Sequence, residues 1–134
     1  MEDRRCILVV DDDEMTRDLI AFSLRAVGYE VITVDDGLHA VLKIRERKPD
    51  LAILDVMLPD LSGLELLNII RAEFMMREMP VILMSRLGNE KLIIAADKLG
   101  AASYLVKPFE MEQLIEKISC LPGFQLQEHN SSRQ

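Results

Sequence analysis

The sequence lacks the features typical of secreted, zinc-binding and membrane-spanning proteins. Its 134 residues contain no tryptophan and two cysteines, which are too few and too far apart for a disulfide framework or a zinc site. We expect both thiols, Cys6 and Cys120, to be buried and unreactive. No apolar run approaches the roughly 20 residues that a membrane span needs, and the charged N-terminus precedes only a short apolar segment, unlike a signal peptide. The sequence therefore predicts a cytoplasmic protein with no membrane partner.

The sequence also has no excess of positively charged residues. Lysine and arginine number 16 against 23 aspartates and glutamates, which gives a formal net charge of −7. Such a balance repels phosphate backbones and anionic lipids, so we expect no direct nucleic-acid partner. With 49% hydrophobic residues, the chain is long enough for one domain with its own core and too short for two ordinary domains.

Short apolar runs rich in β-branched residues alternate with segments of helical period. The predicted strands are Cys6–Val10, Glu30–Val34, Leu51–Leu54, Val81–Met84 and Ser103–Val106. The predicted helices are Glu14–Val27, Gly37–Arg47, Gly63–Phe74, Asn89–Leu99 and Glu110–Cys120. A helix after every strand requires right-handed crossovers and a parallel sheet. The first, third and fourth strands are apolar almost throughout, which predicts that they are the central strands of an α/β fold.

Residues capable of chemistry follow four of these strands. Asp11, Asp12 and Asp13 follow the first, Asp55 the third, Ser85 the fourth and Lys107 the fifth. The carboxyl ends of parallel strands share one edge of the sheet, where functional groups gather. Asp13 fits a helix N-cap better than a chemical role. The remaining carboxylates would repel one another unless a cation compensates, and Mg²⁺, which prefers oxygen ligands, is the natural candidate.

A metal ion, an ammonium and a hydroxyl around one carboxylate suit the transfer of a phosphoryl group. Asp55 is the best nucleophile because it stands alone at the end of a central strand. Asp11 and Asp12 are adjacent, an arrangement better suited to holding a metal ion. The residues themselves thus point to phosphoryl chemistry at Asp55.

Four segments, in order along the chain, resemble the receiver domain of two-component response regulators. They are Ile7–Asp13, Pro49–Gly63, Pro80–Ser85 and Gly100–Phe109. The resemblance covers residues 5–121 and leaves 122–134 as a polar tail or the start of a linker. It implies a doubly wound, flavodoxin-like fold, a five-stranded parallel sheet with strand order 2-1-3-4-5.

The resemblance also implies a role for each matching residue. Asp55 would accept a phosphoryl group from a sensor histidine kinase or a phosphotransfer protein. Mg²⁺ would be held directly by Asp12, mainly through water by Asp11, and also by Asp55 and the backbone carbonyl of Met57. Lys107 would pair with the phosphoryl group, and the bond from Lys107 to Pro108 would be cis. Such a protein is no enzyme in the ordinary sense, because it promotes only its own phosphorylation and dephosphorylation.

A second set of implied roles concerns signal output. Ser85 would hydrogen-bond a phosphoryl oxygen, and Tyr104 would be an aromatic switch whose ring turns inward when Ser85 moves. The switched surface would comprise the fourth helix, the fifth strand and the fifth helix, where consecutive apolar residues up to Ile94 exceed what one buried stripe requires. We expect a downstream protein, a fused output domain or a second copy of the chain to bind there.

Two positions depart from the family pattern. Arg86 stands where receivers usually carry a small residue, and Met57 is a bulky residue at the mouth of the site. We expect Arg86 to cover part of the phosphoryl group and to give the phosphorylated form a lifetime that is not typical of the family.

The sequence leaves three alternatives open. A receiver-like protein-binding scaffold that is not phosphorylated is the first. A haloacid-dehalogenase-like phosphatase with Asp11 as nucleophile is the second, although Met15 and the lack of a later acidic pair disagree with its motifs. A flavodoxin-type FMN carrier is the third, but the acidic loop after the first strand would repel the flavin phosphate.

Overall fold

The computed structural model describes residues 4–73 and 78–124. The strands are β1 (Cys6–Val10), β2 (Glu30–Val34), β3 (Leu51–Asp55), β4 (Val81–Ser85) and β5 (Ser103–Val106). The helices are α1 (Glu14–Ala26), α2 (Gly37–Arg47), α3 (Gly63–Ala72), α4 (Glu90–Lys98) and α5 (Met111–Ser119). Neighbouring strands are parallel, in the order β2-β1-β3-β4-β5. The predicted fold class, strand order and central strands are confirmed.

Two boundaries differ from the sequence-based expectation in a way that matters for the site. β3 and β4 each run one residue further than predicted, so Asp55 and Ser85 are the last residues of buried strands rather than the first residues of loops. The end of the predicted third helix, Phe74, and residues 125–134 of the predicted tail lie outside the described residues.

The core consists of two layers, one on each face of the sheet. Along β1, Ile7 and Val9 face a layer closed by α1 and α5, whereas Leu8 and Val10 face a layer closed by α2 and α3. All five residues of β1, β3 and β4 are buried. Because both faces of these strands are covered, they need apolar residues at successive positions, and any polar group at their ends is drawn into the protein interior.

The start of α1 is fixed by Asp13. The Asp13 side chain accepts a hydrogen bond from the backbone N–H of Thr16 at 3.1 Å and caps the helix. The capping interpretation of Asp13 is therefore confirmed. This cap holds the turn between β1 and α1 and with it the position of Asp12.

Packing continues past the predicted domain boundary at residue 121. Phe124 is 2% exposed and belongs to the core layer under α5. The Tyr29 hydroxyl donates to the backbone carbonyl of Phe124 at 3.1 Å, and the two ring centroids lie 5.9 Å apart. The Arg5 guanidinium lies over the Phe124 ring, 5.5 Å from its centroid. The described body of the protein thus includes three residues beyond that boundary.

One expectation about the thiols is wrong. Cys6 is buried in β1, but Cys120 is exposed at the C-cap of α5. The apolar stripe of α5 is formed by Leu114 and Ile118, and Cys120 follows Ile118 by two positions, which places it away from that stripe.

Candidate functional site

Three carboxylates meet at the carboxyl edge of the sheet. One oxygen each from Asp11, Asp12 and Asp55 lies within 4.8 Å of the others. β1 and β3 are neighbours with Val10 opposite Leu54, so the residues that follow these two positions are brought side by side. Asp11 is fully buried and Asp55 is 5% exposed, whereas Asp12 is exposed. The sheet therefore assembles an acidic site with two buried members and one that faces solvent.

Lys107 bridges the two buried carboxylates. Its Nζ donates to Oδ2 of Asp11 and to Oδ2 of Asp55, each at 2.8 Å. The residue follows β5, and its backbone N–H donates to the carbonyl of Ser85 at 2.8 Å, which continues the strand pairing. The peptide bond between Lys107 and Pro108 is cis, as expected. The ammonium thus reaches across the end of β4 to the acids on β1 and β3.

The backbone orients each buried carboxylate as well. Oδ1 of Asp11 accepts from the N–H of Asp13 at 2.9 Å, and Oδ1 of Asp55 accepts from the N–H of Met57 at 2.9 Å. Each carboxylate therefore uses one oxygen for its own turn and the other for Lys107. This division fixes both side chains before any ligand binds.

The pKa directions reflect the balance between burial and pairing. Burial opposes the charge on Lys107, but its hydrogen bonds to Asp11 and Asp55 outweigh that effect and raise the pKa of the ammonium. Burial raises the pKa of Asp55, and the bonds from Lys107 and the Met57 N–H only partly oppose it. Holding Asp55 as a carboxylate among other acids is thus unfavourable, and added positive charge would relieve it.

A glycine is required next to Asp55. The backbone N–H of Gly63, the first residue of α3, donates to the carbonyl of Val56 at 2.8 Å. A Cβ atom at Gly63 would lie 2.6 Å from the backbone oxygen of Asp55 and 2.8 Å from Cα of Val56. Because those atoms are backbone, no side chain fits there, and α3 can approach the end of β3 only through glycine.

Ser85 and Tyr104 are connected through one residue of the loop after β4. The buried Ser85 hydroxyl accepts from the backbone N–H of Leu87 at 3.0 Å. The Tyr104 hydroxyl donates to the backbone carbonyl of the same Leu87 at 2.6 Å. Burial raises the pKa of Tyr104, although a bond with Ser85 acts in the opposite direction. A movement of this loop would therefore change the hydrogen bonds of both side chains.

The acids open onto a shallow cleft of about 380 Å³. Its lining consists of Asp11, Asp12, Asp13, Asp55, Met57, Arg86 and Lys107. Met57 is 55% exposed at the mouth, and Arg86 is also exposed. The structure thus brings the predicted acids and Lys107 to one cleft, with both bulky departures from the family pattern at its rim.

Sequence reasoning missed one carboxylate that shapes this edge. Asp60, in the loop before α3, accepts hydrogen bonds from the backbone N–H groups of Gly37 and Leu38, each at 2.8 Å. The loop is thereby attached to the N-terminus of α2, which carries partial positive charge. Asp60 stands 23 residues from Gly37 in sequence, and no local pattern marks the pairing.

The donor set fits a hard divalent cation. The three carboxylates carry more negative charge than one ammonium offsets, and all the available ligand atoms are oxygen, which Mg²⁺ prefers. The exposed carboxylate of Asp12 leaves one side of the cluster open to solvent, and Mg²⁺ usually keeps several waters. Residues present at the site therefore suit this ion.

Comparisons with known proteins agree with this geometry. The family model described as the response regulator receiver domain matches residues 7–119. The chain is 34% identical over 117 residues to the phosphate regulon transcriptional regulatory protein PhoB of Klebsiella pneumoniae, covering 87% of this chain and 51% of that protein. The chain therefore belongs to the receiver domain family of response regulators.

Another curated relative and two solved structures are also similar to this chain. The DNA-binding response regulator MtrA of Mycobacterium tuberculosis is 30% identical over 115 residues, which cover 86% of this chain and 49% of that protein. The crystal structure of chemotaxis response regulator CheY4 of Vibrio cholerae superposes with a TM-score of 0.83 at 28% identity, covering 88% of this chain and 98% of that one. A CheY-like receiver domain protein of Methanospirillum hungatei gives a TM-score of 0.81 at 31% identity, with 87% and 92% covered.

These relatives bear on the expectations about partners and location. The chain spans about half the length of the curated relatives it matches. Because one of them is named as DNA-binding, the comparisons do not support our expectation that nucleic acid is excluded as a partner. Within residues 4–73 and 78–124, no helix has the length and apolar character needed to cross a membrane.

Proposed function

We propose that the chain accepts a phosphoryl group on Asp55 from the phosphohistidine of a sensor histidine kinase or a phosphotransfer protein. The arrangement of the Asp55 carboxylate supports this most directly. It is nearly buried, oriented by the N–H of Met57, contacted by the Lys107 ammonium and adjacent to two further acids. A purely structural acid at the end of a buried strand would not need two further acids and a bridging cation around it.

The chemical step follows from these contacts. An oxygen of Asp55 attacks phosphorus while the bond between phosphorus and the histidine nitrogen breaks, and the imidazole keeps the electron pair. The Lys107 ammonium donates to a phosphoryl oxygen, for which it exchanges part of its bond to Asp55. Ser85 offers its hydroxyl to another oxygen. The chain's own residues thus position the acceptor and stabilise charge on the equatorial oxygens.

Asp12, Asp11, Asp55 and the Met57 carbonyl would hold Mg²⁺. When bound, the ion supplies the positive charge that the acidic cluster and an incoming phosphoryl group both require. Asp12 contributes the exposed carboxylate and Asp11 the buried one. The cation preference of the site is therefore a property of these acids and can be tested without a phosphodonor.

Signal output would pass through the loop after β4. If Ser85 turns toward a phosphoryl oxygen, its bond to the Leu87 N–H changes, and the Tyr104 hydroxyl is bonded to the carbonyl of the same residue. The neighbouring surface carries exposed apolar side chains, with Ile94 46% exposed in α4 and Val106 43% exposed in β5. We assign the face formed by α4, β5 and α5 to a downstream partner, a fused output domain or a second copy.

The proposal also concerns enzymatic turnover and the location of the protein in the cell. A protein that accepts phosphate from a histidine kinase and returns it to water changes only its own state, so turnover of a separate substrate is not expected. The cytoplasm remains our predicted location.

The phosphorylation test uses the whole chain. The protein is incubated with Mg²⁺ and acetyl phosphate, and its intact mass is measured. We expect a gain of one phosphoryl group in the wild type and in Asp97→Asn, which changes an exposed acid in α4, and no gain in Asp55→Asn. Absence of a gain in the wild type would favour the alternative of a protein-binding scaffold, and release of many phosphates per chain would favour a phosphatase.

The output surface has a separate test. We expect Ile94→Glu to be phosphorylated at the wild-type rate but to lose any association that depends on phosphorylation, measured by size-exclusion chromatography or by partner capture. Undiminished association of this variant would show that the face assignment is wrong.

A further inference from the structure

Arg86 occupies an unusual position at the cleft onto which Asp11, Asp12 and Asp55 open. It follows Ser85 directly at the end of β4 and lines the cleft together with Asp55 and Lys107. It also lines a second open cleft, which is formed with Thr16, Leu19 and Phe109 among others. The exposed Arg86 side chain therefore lies at the rim that the acidic cleft shares with its neighbour, within the lining that an incoming donor would contact.

The charge of Arg86 can interact with an incoming anion more readily than the charge of Lys107. Lys107 is bonded to two carboxylates at 2.8 Å. In the part of the chain that the structure describes, Arg86 forms no ion pair and no side-chain hydrogen bond, and Asp13 is the acid whose carboxyl it influences. A guanidinium is always charged and presents paired donors that match two phosphate oxygens.

We propose that Arg86 is a specificity-determining residue that binds oxygens of the incoming phosphoryl group and favours donors of higher negative charge. This inference rests on the proposed phosphorylation of Asp55. This role differs from covering the Asp55 carboxylate. A bulky side chain over Asp55 would slow phosphorylation by every donor alike, whereas the positive charge of Arg86 favours the donor with the greater negative charge.

The test compares phosphorylation by two small phosphodonors, acetyl phosphate and phosphoramidate, which differ in net charge. Near neutral pH acetyl phosphate carries two negative charges and phosphoramidate carries one. With acetyl phosphate, an Asp55 oxygen bonds to phosphorus while the bond between phosphorus and the acetate oxygen breaks, and acetate leaves with the electron pair. With phosphoramidate, the protonated nitrogen leaves as ammonia. Neither step needs a further reactant. The two leaving groups differ in intrinsic reactivity, and this difference cancels when the ratio of the two rates is compared between variants.

The variants separate charge from shape. Arg86→Gln removes the charge and keeps a polar chain, whereas Arg86→Lys keeps the charge. Lys98→Gln removes one charge from the last turn of α4, at the opposite edge of the sheet, and serves as the matched control. Because Arg86 and Lys98 are both exposed, we expect all three proteins to keep the wild-type unfolding temperature.

The measured quantity is the rate with acetyl phosphate divided by the rate with phosphoramidate. One unit charge about 4 Å away in water is worth ~1 kcal/mol, so we expect Arg86→Gln to lower this ratio about fivefold. Arg86→Lys should keep most of the wild-type ratio, and Lys98→Gln should keep all of it. Added salt should lower the wild-type ratio toward that of Arg86→Gln.

The results distinguish this inference from the proposed function. An equal change of both rates in Arg86→Gln, or no change in either, overturns the role in donor selection while phosphorylation at Asp55 stands. No phosphorylation of the wild type by either donor overturns the proposed function itself. A ratio that rises in Arg86→Gln contradicts an attractive contact and also overturns the inference.

Discussion

Magnesium should stabilise the folded protein even when no phosphodonor is present. Asp11, Asp12 and Asp55 carry three negative charges within 4.8 Å of one another, and the Lys107 ammonium offsets one of them. Two negative charges remain, which a single divalent cation neutralises. In the unfolded chain these acids separate, so the ion binds the folded state preferentially and shifts the equilibrium toward it.

The structure sets the scale of this effect. Two carboxylate charges within 4.8 Å of each other repel by about 3 kcal/mol or more at an effective dielectric constant of about 20. The exposed position of Asp12 reduces its share, because solvent screens it. With Mg²⁺ at a hundred times its dissociation constant, linkage adds about 2.7 kcal/mol to the free energy of unfolding. For a chain of this length that corresponds to a rise of roughly 10 °C in Tm.

Thermal unfolding followed by circular dichroism measures the shift. Wild type is compared in MgCl₂ and in NaCl of equal ionic strength, with and without a chelator. Asp12→Asn and Asp55→Asn should each lose most of the shift, whereas Asp97→Asn, an exposed acid in α4, should keep it. A shift no larger than that of NaCl, or a full shift in both site variants, would refute the proposed metal site.

Three further predictions concern contacts outside the acidic cluster. Phe124→Ala should lower the free energy of unfolding by about 3 kcal/mol in urea titrations, because the ring is 2% exposed and its loss leaves a cavity. Asp60→Ala should lower the free energy of unfolding by about 1 kcal/mol. Hydrogen bonds from the first N–H groups of α2 lower the pKa of Asp60, so its contribution to stability is complete above the ordinary pKa of an aspartate and is lost as pH falls through the lower pKa of the folded state. Tyr104→Phe removes the bond to Leu87, so Asp55 should still be phosphorylated while phosphorylation-dependent association weakens; equal association would contradict the switch.

The fold and the position of the acidic edge follow from short-range patterns in the sequence. Apolar runs such as Leu51–Leu54 identify strands buried on both faces, and the regular alternation with helices leaves a parallel sheet as the consistent topology. Once the sheet is parallel, residues after the strands must share one edge. The proximity of Asp11 and Asp55 is therefore a consequence of topology that sequence alone can supply.

Contacts that depend on distant chain segments were not accessible in this way. The bonds of Asp60 to the start of α2 join residues 22 and 23 positions apart, and Phe124 packs against Tyr29 from the opposite end of the chain. The exposure of Cys120 depends on where α5 ends relative to its apolar stripe. Each of these features is decided by tertiary packing rather than by local propensity or period.

The loop after β4 combines two properties that local patterns could not have joined. Ser85, Arg86 and Leu87 are consecutive. The Ser85 hydroxyl accepts from the Leu87 N–H, Arg86 lines the acidic cleft, and the Leu87 carbonyl accepts from the Tyr104 hydroxyl. An anion that draws Arg86 toward the cleft would act on the backbone next to Leu87, whose carbonyl accepts the hydrogen bond from Tyr104. Donor selection and signal output would then share one short segment, so Arg86→Gln should weaken phosphorylation-dependent association even at equal occupancy of Asp55. Normal association of the fully phosphorylated variant would separate the two properties.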